Sequence, residues 1–184
     1  MEYNSIISAL KSYIEAGNKN IEIEENKNFN GTIADLYIFR KGKNFLFPQR
    51  DYFFIYDIGG EEITKNAMSE KHEAARNFVN AMYKMPKALR FSVPNICSVF
   101  IGSKGFSEDV INLAEYNTRT VIGGEIHTIY LIDLMNKVFY GQGINRVPFV
   151  VDGIRTGLKL EFKKIDPQNR AFYFVQELAK VIIK

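Results

Sequence analysis

Tyr52-Phe53-Phe54-Ile55-Tyr56-Asp57-Ile58-Gly59-Gly60 is the stretch that decides the fold. From Tyr52 to Ile58 only Asp57 is charged. The polar/apolar alternation of a strand with one wet face is missing, so the segment reads as a central strand covered on both sides. The glycine pair ends it. Ile96–Ile101 has the same character and reads as a second buried strand. A strand covered on both sides needs helices above and below it, and the sequence supplies them.

Before Tyr52 the chain predicts a helix over 3–16, with Tyr3, Ile6, Ile7, Leu10, Tyr13 and Ile14 on one stripe and Gly17 as its C′ residue. Ile21-Glu22-Ile23-Glu24 alternates as a strand does, and Asn26–Gly31 reads as a polar turn. Thr32–Arg40 is rich in β-formers. Lys41-Gly42-Lys43 reads as a hairpin turn leading to Asn44–Phe47, which Pro48 interrupts. After Gly60, Ser69 is the expected N-cap of a helix reaching about Lys84, with Ala75, Phe78, Val79 and Met82 as its inner stripe. Ser107 is expected to cap a third helix, with Glu108 and Asp109 on the positive end of its dipole. Ile126–Leu134, Lys137–Tyr140, Phe149–Val151 and Leu158–Phe162 are strand-like. Asp166 followed by Pro167 is the clearest helix start in the chain, opening a stripe of Ala171, Phe174, Val175, Leu178, Val181 and Ile182. The order is helix, three strands, helix, strand, helix, strands, helix. It predicts a single domain over 1–184, an α/β fold with a mixed central sheet flanked by helices. Phe78, Phe100, Leu131, Phe174 and Leu178 are its expected core.

Composition sets the limits. With 46% hydrophobic and 24% charged residues the chain can build a real core, and 15 Phe against no Trp means that phenyl rings fill much of it. Cys97 is the only cysteine, so no internal disulfide forms, and its apolar surroundings predict a buried thiol. No apolar run approaches the roughly 20 residues that span a bilayer, and the N-terminus lacks a signal-peptide pattern. The expectation is a cytoplasmic protein with no membrane partner. The net charge of +3 permits nucleic-acid binding without requiring it.

Two stretches resemble the restriction-endonuclease-like, PD-(D/E)XK, superfamily in its Mrr-type form. Ala34-Asp35-Leu36-Tyr37-Ile38-Phe39-Arg40-Lys41-Gly42-Lys43-Asn44-Phe45-Leu46-Phe47 is similar to the hairpin that carries the family's first aspartate. Val99-Phe100-Ile101-Gly102-Ser103-Lys104-Gly105-Phe106-Ser107, a helix, and Ile129–Leu134 are similar to the later half of such domains. The likeness covers roughly residues 3–135. It implies an αβββαβ core with extra C-terminal strands and a helix. It also implies a site in which acids on adjacent strands hold Mg²⁺ and a lysine orients the attacking water.

In that reading Asp35 is the first acid and metal ligand. The Glu-x-Lys motif is expected where the chain has Pro48-Gln49-Arg50, which leaves Gln49 and Arg50 as the remaining catalytic candidates. Proline offers no side-chain ligand, and arginine keeps lysine's charge but does not deprotonate. Catalysis is therefore expected to be degenerate, and Mg²⁺ belongs only to a catalytic reading. Glu15 matches an auxiliary acid of some relatives. For nucleic acid, the candidate phosphate contacts are Lys41 and Lys43 around Gly42, and Lys84, Lys87 and Arg90 after the second helix. His72 is expected to be exposed at a helix start, and Glu125, His127 and Asp133 form a weaker metal-binding trio. Three functions stay open on these residues: a nuclease-like domain associated with nucleic acid and lacking catalysis, a module that docks another protein, and a metal-dependent nuclease with an unconventional site.

Overall fold

The computed structural model describes residues 3–17, 21–44, 47–86, 90, 94–116, 124–141, 144–148 and 167–183. The chain runs α1 (Tyr3–Gly17), β1 (Ile21–Phe29), β2 (Thr32–Asn44), β3 (Phe47–Gly59), α2 (Lys65–Ala81), β4 (Pro94–Gly102), α3 (Glu108–Tyr116), β5 (Ile126–Asp133), β6 (Val138–Gly141), β7 (Ile144–Pro148) and α4 (Pro167–Ile182). All seven strands form one sheet in chain order. β3, β4 and β5 run parallel, and the other neighbours are antiparallel. This is the mixed α/β sheet that the sequence predicts.

The connections dictate that pattern. Asn30 and Gly31, at φ 51° and 82°, make a two-residue turn between Phe29 and Thr32. Left-handed geometry at both central positions suits the twist of a tight hairpin. The β3–β4 and β4–β5 links each contain a helix, and a crossover of that length joins parallel strands.

Each face of the sheet has its own core. Leu36, Ile38, Phe53, Ile55, Cys97, Val99, Ile101 and Ile132 pack beneath α1 and α4. Tyr37, Tyr52, Phe54, Tyr56, Ile96, Phe100, Ile129 and Leu131 pack beneath α2 and α3. β4 and β5 are buried along their whole length. The Cys97 thiol is inside, and burial pushes its pKa well up, away from nucleophilic use.

Several boundaries differ from the expectation. Lys41-Gly42-Lys43 is not a turn: β2 continues through it, with Lys41 opposite Arg50, Gly42 opposite Gln49 and Lys43 opposite Pro48. Asn26 at φ 51° lies within β1, so only the last two residues of Asn26–Gly31 form the turn. α2 starts at Lys65 and is capped, five residues before Ser69, by Thr64, whose hydroxyl accepts the Ala67 N–H at 3.2 Å. Its buried stripe is Met68, His72, Ala75 and Val79; Met82 continues that spacing but is the C-cap at the helix end and is exposed. Of the expected core, Phe100, Leu131 and Leu178 are fully buried, while Phe78 and Phe174 are half-buried at the rims of the two cores. α4 begins at Pro167 as expected. Asp166 and the strand-like segments 149–151 and 158–162 lie outside the described residues.

Candidate functional site

The antiparallel β2–β3 ribbon decides which candidate residues can meet. Asp35 stands near the start of β2, so it faces the end of β3. One step beyond the Leu36–Ile55 pair, its cross-strand neighbour is Tyr56. Gln49 pairs with Gly42, seven residues further along β2. At about 3.4 Å per residue that is roughly 24 Å from Asp35. The ribbon therefore separates Asp35 from Gln49 and Arg50, and the expected catalytic trio does not assemble. An expectation built on sequence order went astray here because a hairpin inverts proximity: the acid nearest Asp35 in space is the distant Asp57.

At that end of the sheet the Asp57 N–H donates to Asp35 Oδ2 at 2.8 Å. Asp57 Oδ1 accepts the Gly59 N–H at 2.9 Å, and its Oδ2 is buried with no hydrogen-bond partner among the described residues. Burial, with the nearby Asp35 charge adding to it, raises the Asp57 carboxyl above its usual range. Strand alternation places Asp35 on the α2 side of the sheet with Tyr37 and Tyr56, and aligns Asp57 with Phe53 and Ile55 on the other. The Tyr56 hydroxyl is buried and donates to the Lys71 carbonyl at 3.4 Å, and the Lys71 ammonium lies 5.1 Å from the Tyr56 ring centre. Burial and then the Asp35 charge push the Tyr56 phenol up, so it stays protonated. Lys104, just past β4, packs its stem against Gly60. Glu15 is exposed on α1 beside Lys11.

This arrangement does not suit Mg²⁺. The ion takes oxygen ligands, one or two of them carboxylates. Here the face bearing Asp35 offers a protonated phenol next to it, and one Asp35 oxygen is already spent on a backbone N–H. Among the described residues no three His, Cys, Asp or Glu side chains converge as a metal site. Glu125, His127 and Asp133 do not form one either. Asp133 binds Asn136 at one end of β5, whereas Glu125 binds Arg76 and Asn80 at the other.

The far end of the ribbon gathers a different set. On its α2 side, the Lys41 ammonium lies 5.2 Å from the Phe39 ring centre, and Phe39 stacks on Tyr52 at 4.9 Å. The Tyr52 and Tyr83 hydroxyls are 3.3 Å apart. The Arg50 and Arg90 guanidiniums lie 5.7 and 4.6 Å from the Tyr83 ring centre. Lys41, Arg50 and Lys84 are exposed. Rings thus alternate with cations along one surface, and this brings together Lys41, Arg50 and Arg90, which are scattered in the sequence, with the exposed Lys84 next to Tyr83 in the chain. Arg90 is partly committed: it donates to Asn80 Oδ1 at 2.6 Å and sits half-buried. The Lys43 side chain and all of Lys87 lie outside the described residues. The aromatic members, Phe39, Tyr52 and Tyr83, are ones that sequence reading missed. Phe39 and Tyr52 carried a signal only in the cross-strand register, which a one-residue error destroys.

A third cluster is internal. Ser98 Oγ and His72 Nδ1 are 2.8 Å apart, and His72 Nε2 lies 3.1 Å from His127 Nδ1. His72 is 3% exposed, which overturns its expected surface position. Burial, then His127 and Arg76, push its pKa down to about 3, so it is neutral at physiological pH. This chain of polar atoms, buried beneath α2, ties helix to sheet.

No family model, curated protein or solved structure matches this chain.

Proposed function

We propose that this chain is a restriction-endonuclease-like domain that binds nucleic acid and does not cut it. The αβββαβ order of the elements agrees with the order that the resemblance implies and supports this reading. If Asp35 is the first acid, the second must lie opposite it on the same face of β3, and the lysine two residues on. Those positions hold Tyr56 and Ile58. This is the observation that carries the reading: a buried phenol and an alkyl chain stand where a carboxylate and an amine are needed, so neither Mg²⁺ nor an attacking water has a place.

Binding falls to the other end of the ribbon. Arg50 and Lys84, exposed beside the partly buried Tyr83 ring, offer phosphate contacts, a combination that suits a polynucleotide backbone. Lys41 can add a third only by leaving its pair with Glu22. The test is a binding titration with labelled single- and double-stranded DNA and RNA at low salt, run beside a cleavage assay with Mg²⁺ and Mn²⁺. Binding without cleavage is expected. Metal-dependent turnover that Asp35→Asn abolishes would overturn the reading. Absence of binding to every substrate would favour a protein-docking module, for which the exposed Met82 and Met85 beside Tyr83 are the natural contact.

A further inference from the structure

On the opposite face of the same ribbon, beneath α4, an open cleft of about 440 Å³ is lined by Arg40, Gly42, Arg170, Tyr173 and Phe174. Its floor is set by Asp51, whose side chain is fully buried. Asp51 Oδ2 accepts Arg40 Nε at 2.9 Å, Arg40 Nη2 at 2.7 Å and Arg170 Nη2 at 3.1 Å, and Oδ1 accepts Asn95 Nδ2 at 3.3 Å. One carboxylate thus holds two guanidiniums. Arg40 Nη1, with Arg170 Nη1 and Nε, makes no hydrogen bond to the described residues. Both arginines are largely buried, with side chains 19% and 23% exposed. The unspent donors are open to the cleft, where an incoming acceptor can reach them.

Among the described residues the surrounding charges leave the site positive. Lys41, also in the lining, pairs with Glu22, and Glu177 at the rim pairs with Lys180. Those pairs cancel, and Asp51 cancels one of the two arginines. Arg40 is fixed further by lying over the Phe174 ring at 4.6 Å and the Phe53 ring at 5.4 Å. Gly42 gives Arg170 its room, since a Cβ there would come within 2.8 Å of Arg170 Nη2. Planar forks held rigidly by a buried acid match the oxygens of a phosphate group. The cleft falls within the size range of small-ligand sites, and its rings offer an apolar wall.

We propose that this cleft binds a phosphate monoester, donated to by Arg40 and Arg170, with Tyr173 and Phe174 against the organic part of the ligand. Two sources share that chemistry: a free nucleotide and the 5′-phosphate end of a nucleic-acid strand. The site stands apart from Asp35 and Tyr56 and does not depend on the nuclease-like reading.

Calorimetry on the full chain at low salt tests it with four probes: AMP, adenosine, and an oligonucleotide with and without a 5′-phosphate. Saturable one-to-one binding is expected for the phosphorylated probes, with adenosine far weaker. AMP binding as tightly as the phosphorylated strand assigns the site to free nucleotides, and a preference for the strand assigns it to chain ends. Arg170→Gln should weaken binding by about tenfold or more, the usual effect of losing a charged hydrogen bond. That change also removes one donor from Asp51, so Gly42→Ala, which keeps the guanidinium and crowds only its Nη2, is the companion variant. It should lower affinity, with a melting temperature that shows the chain still folded. Equal binding of adenosine and AMP, affinity unaltered in folded Gly42→Ala and Arg170→Gln, or no binding by any phosphorylated probe would each overturn the proposal.

Discussion

The backbone N–H of Asp57 donates to the carboxylate of Asp35 at 2.8 Å, across the ends of two antiparallel strands. This contact gives Asp35 a structural duty in place of a metal. Replacing Asp35 with Ala leaves a half-buried N–H without its acceptor, and the expected loss of stability is about 1–3 kcal/mol by chemical denaturation. A metal ligand behaves in the opposite way: its carboxylate is a burden in the ion-free protein, and removing it stabilises the fold. An Asp35→Ala variant more stable than the parent would contradict the structural role.

Cleavage follows the same logic. With Tyr56 opposite Asp35 and Ile58 two residues on, no Mg²⁺- or Mn²⁺-dependent hydrolysis of DNA or RNA is expected above a protein-free control. Calorimetric titration of Mn²⁺ should also show no site of useful affinity. Turnover lost in Asp35→Asn would mean that the register of β2 on β3 differs from the one described.

The buried His72 predicts how stability depends on pH. Its pKa falls from about 6.5 when unfolded to about 3 in the fold, so below pH 6.5 the unfolded chain takes up a proton that the native state refuses. Stability contributed by the neutral ring is complete above pH 6.5 and is lost as pH falls towards 3. The slope reaches about 1.4 kcal/mol per pH unit at most. Urea midpoints between pH 7.5 and 4.5 should decline with that sign, and His72→Gln should flatten the decline. A His72→Gln profile identical to the parent's would show that the ring is not held as described.

α4 gives a packing test. Leu178 is fully buried in the core shared with α1, so Leu178→Ala should cost about 2–5 kcal/mol. Phe174 lies at the rim, tilted against Phe53 with Arg40 over its ring, and Phe174→Ala should cost less than Leu178→Ala. The reverse ranking in denaturant midpoints would show α4 rotated from its described face.

The sheet was legible because its central strands are written in long apolar runs, at Tyr52–Ile58 and Ile96–Ile101, that only a covered strand explains. The α4 start was legible because Pro167 tolerates a helix only in its first turn. The site was not legible, for two physical reasons. Asp35 and Asp57 are far apart in sequence and meet only through the hairpin register, which moved once Lys41-Gly42-Lys43 proved to be strand. His72 looked exposed because Ser69 is a plausible cap. Thr64 is the cap in fact, and the added turn places His72 on the stripe that runs from Met68 to Val79. Neither the pairing of two arginines on Asp51 nor the ring ladder has any local pattern, since Arg40 and Arg170 are joined only by tertiary packing.

The salt dependence of nucleic-acid binding tests the central claim most directly. Each phosphate contact displaces about one counterion, so log K should fall linearly with log salt at about −0.9 per contact on duplex. Reversing two exposed cations of the ladder, Arg50→Glu with Lys84→Glu, should make the slope shallower by about two units. Exposed charges contribute little to folding, so the melting temperature should scarcely move. Binding whose slope is the same in the parent and in the folded double variant, or no binding even at low salt, would contradict the account.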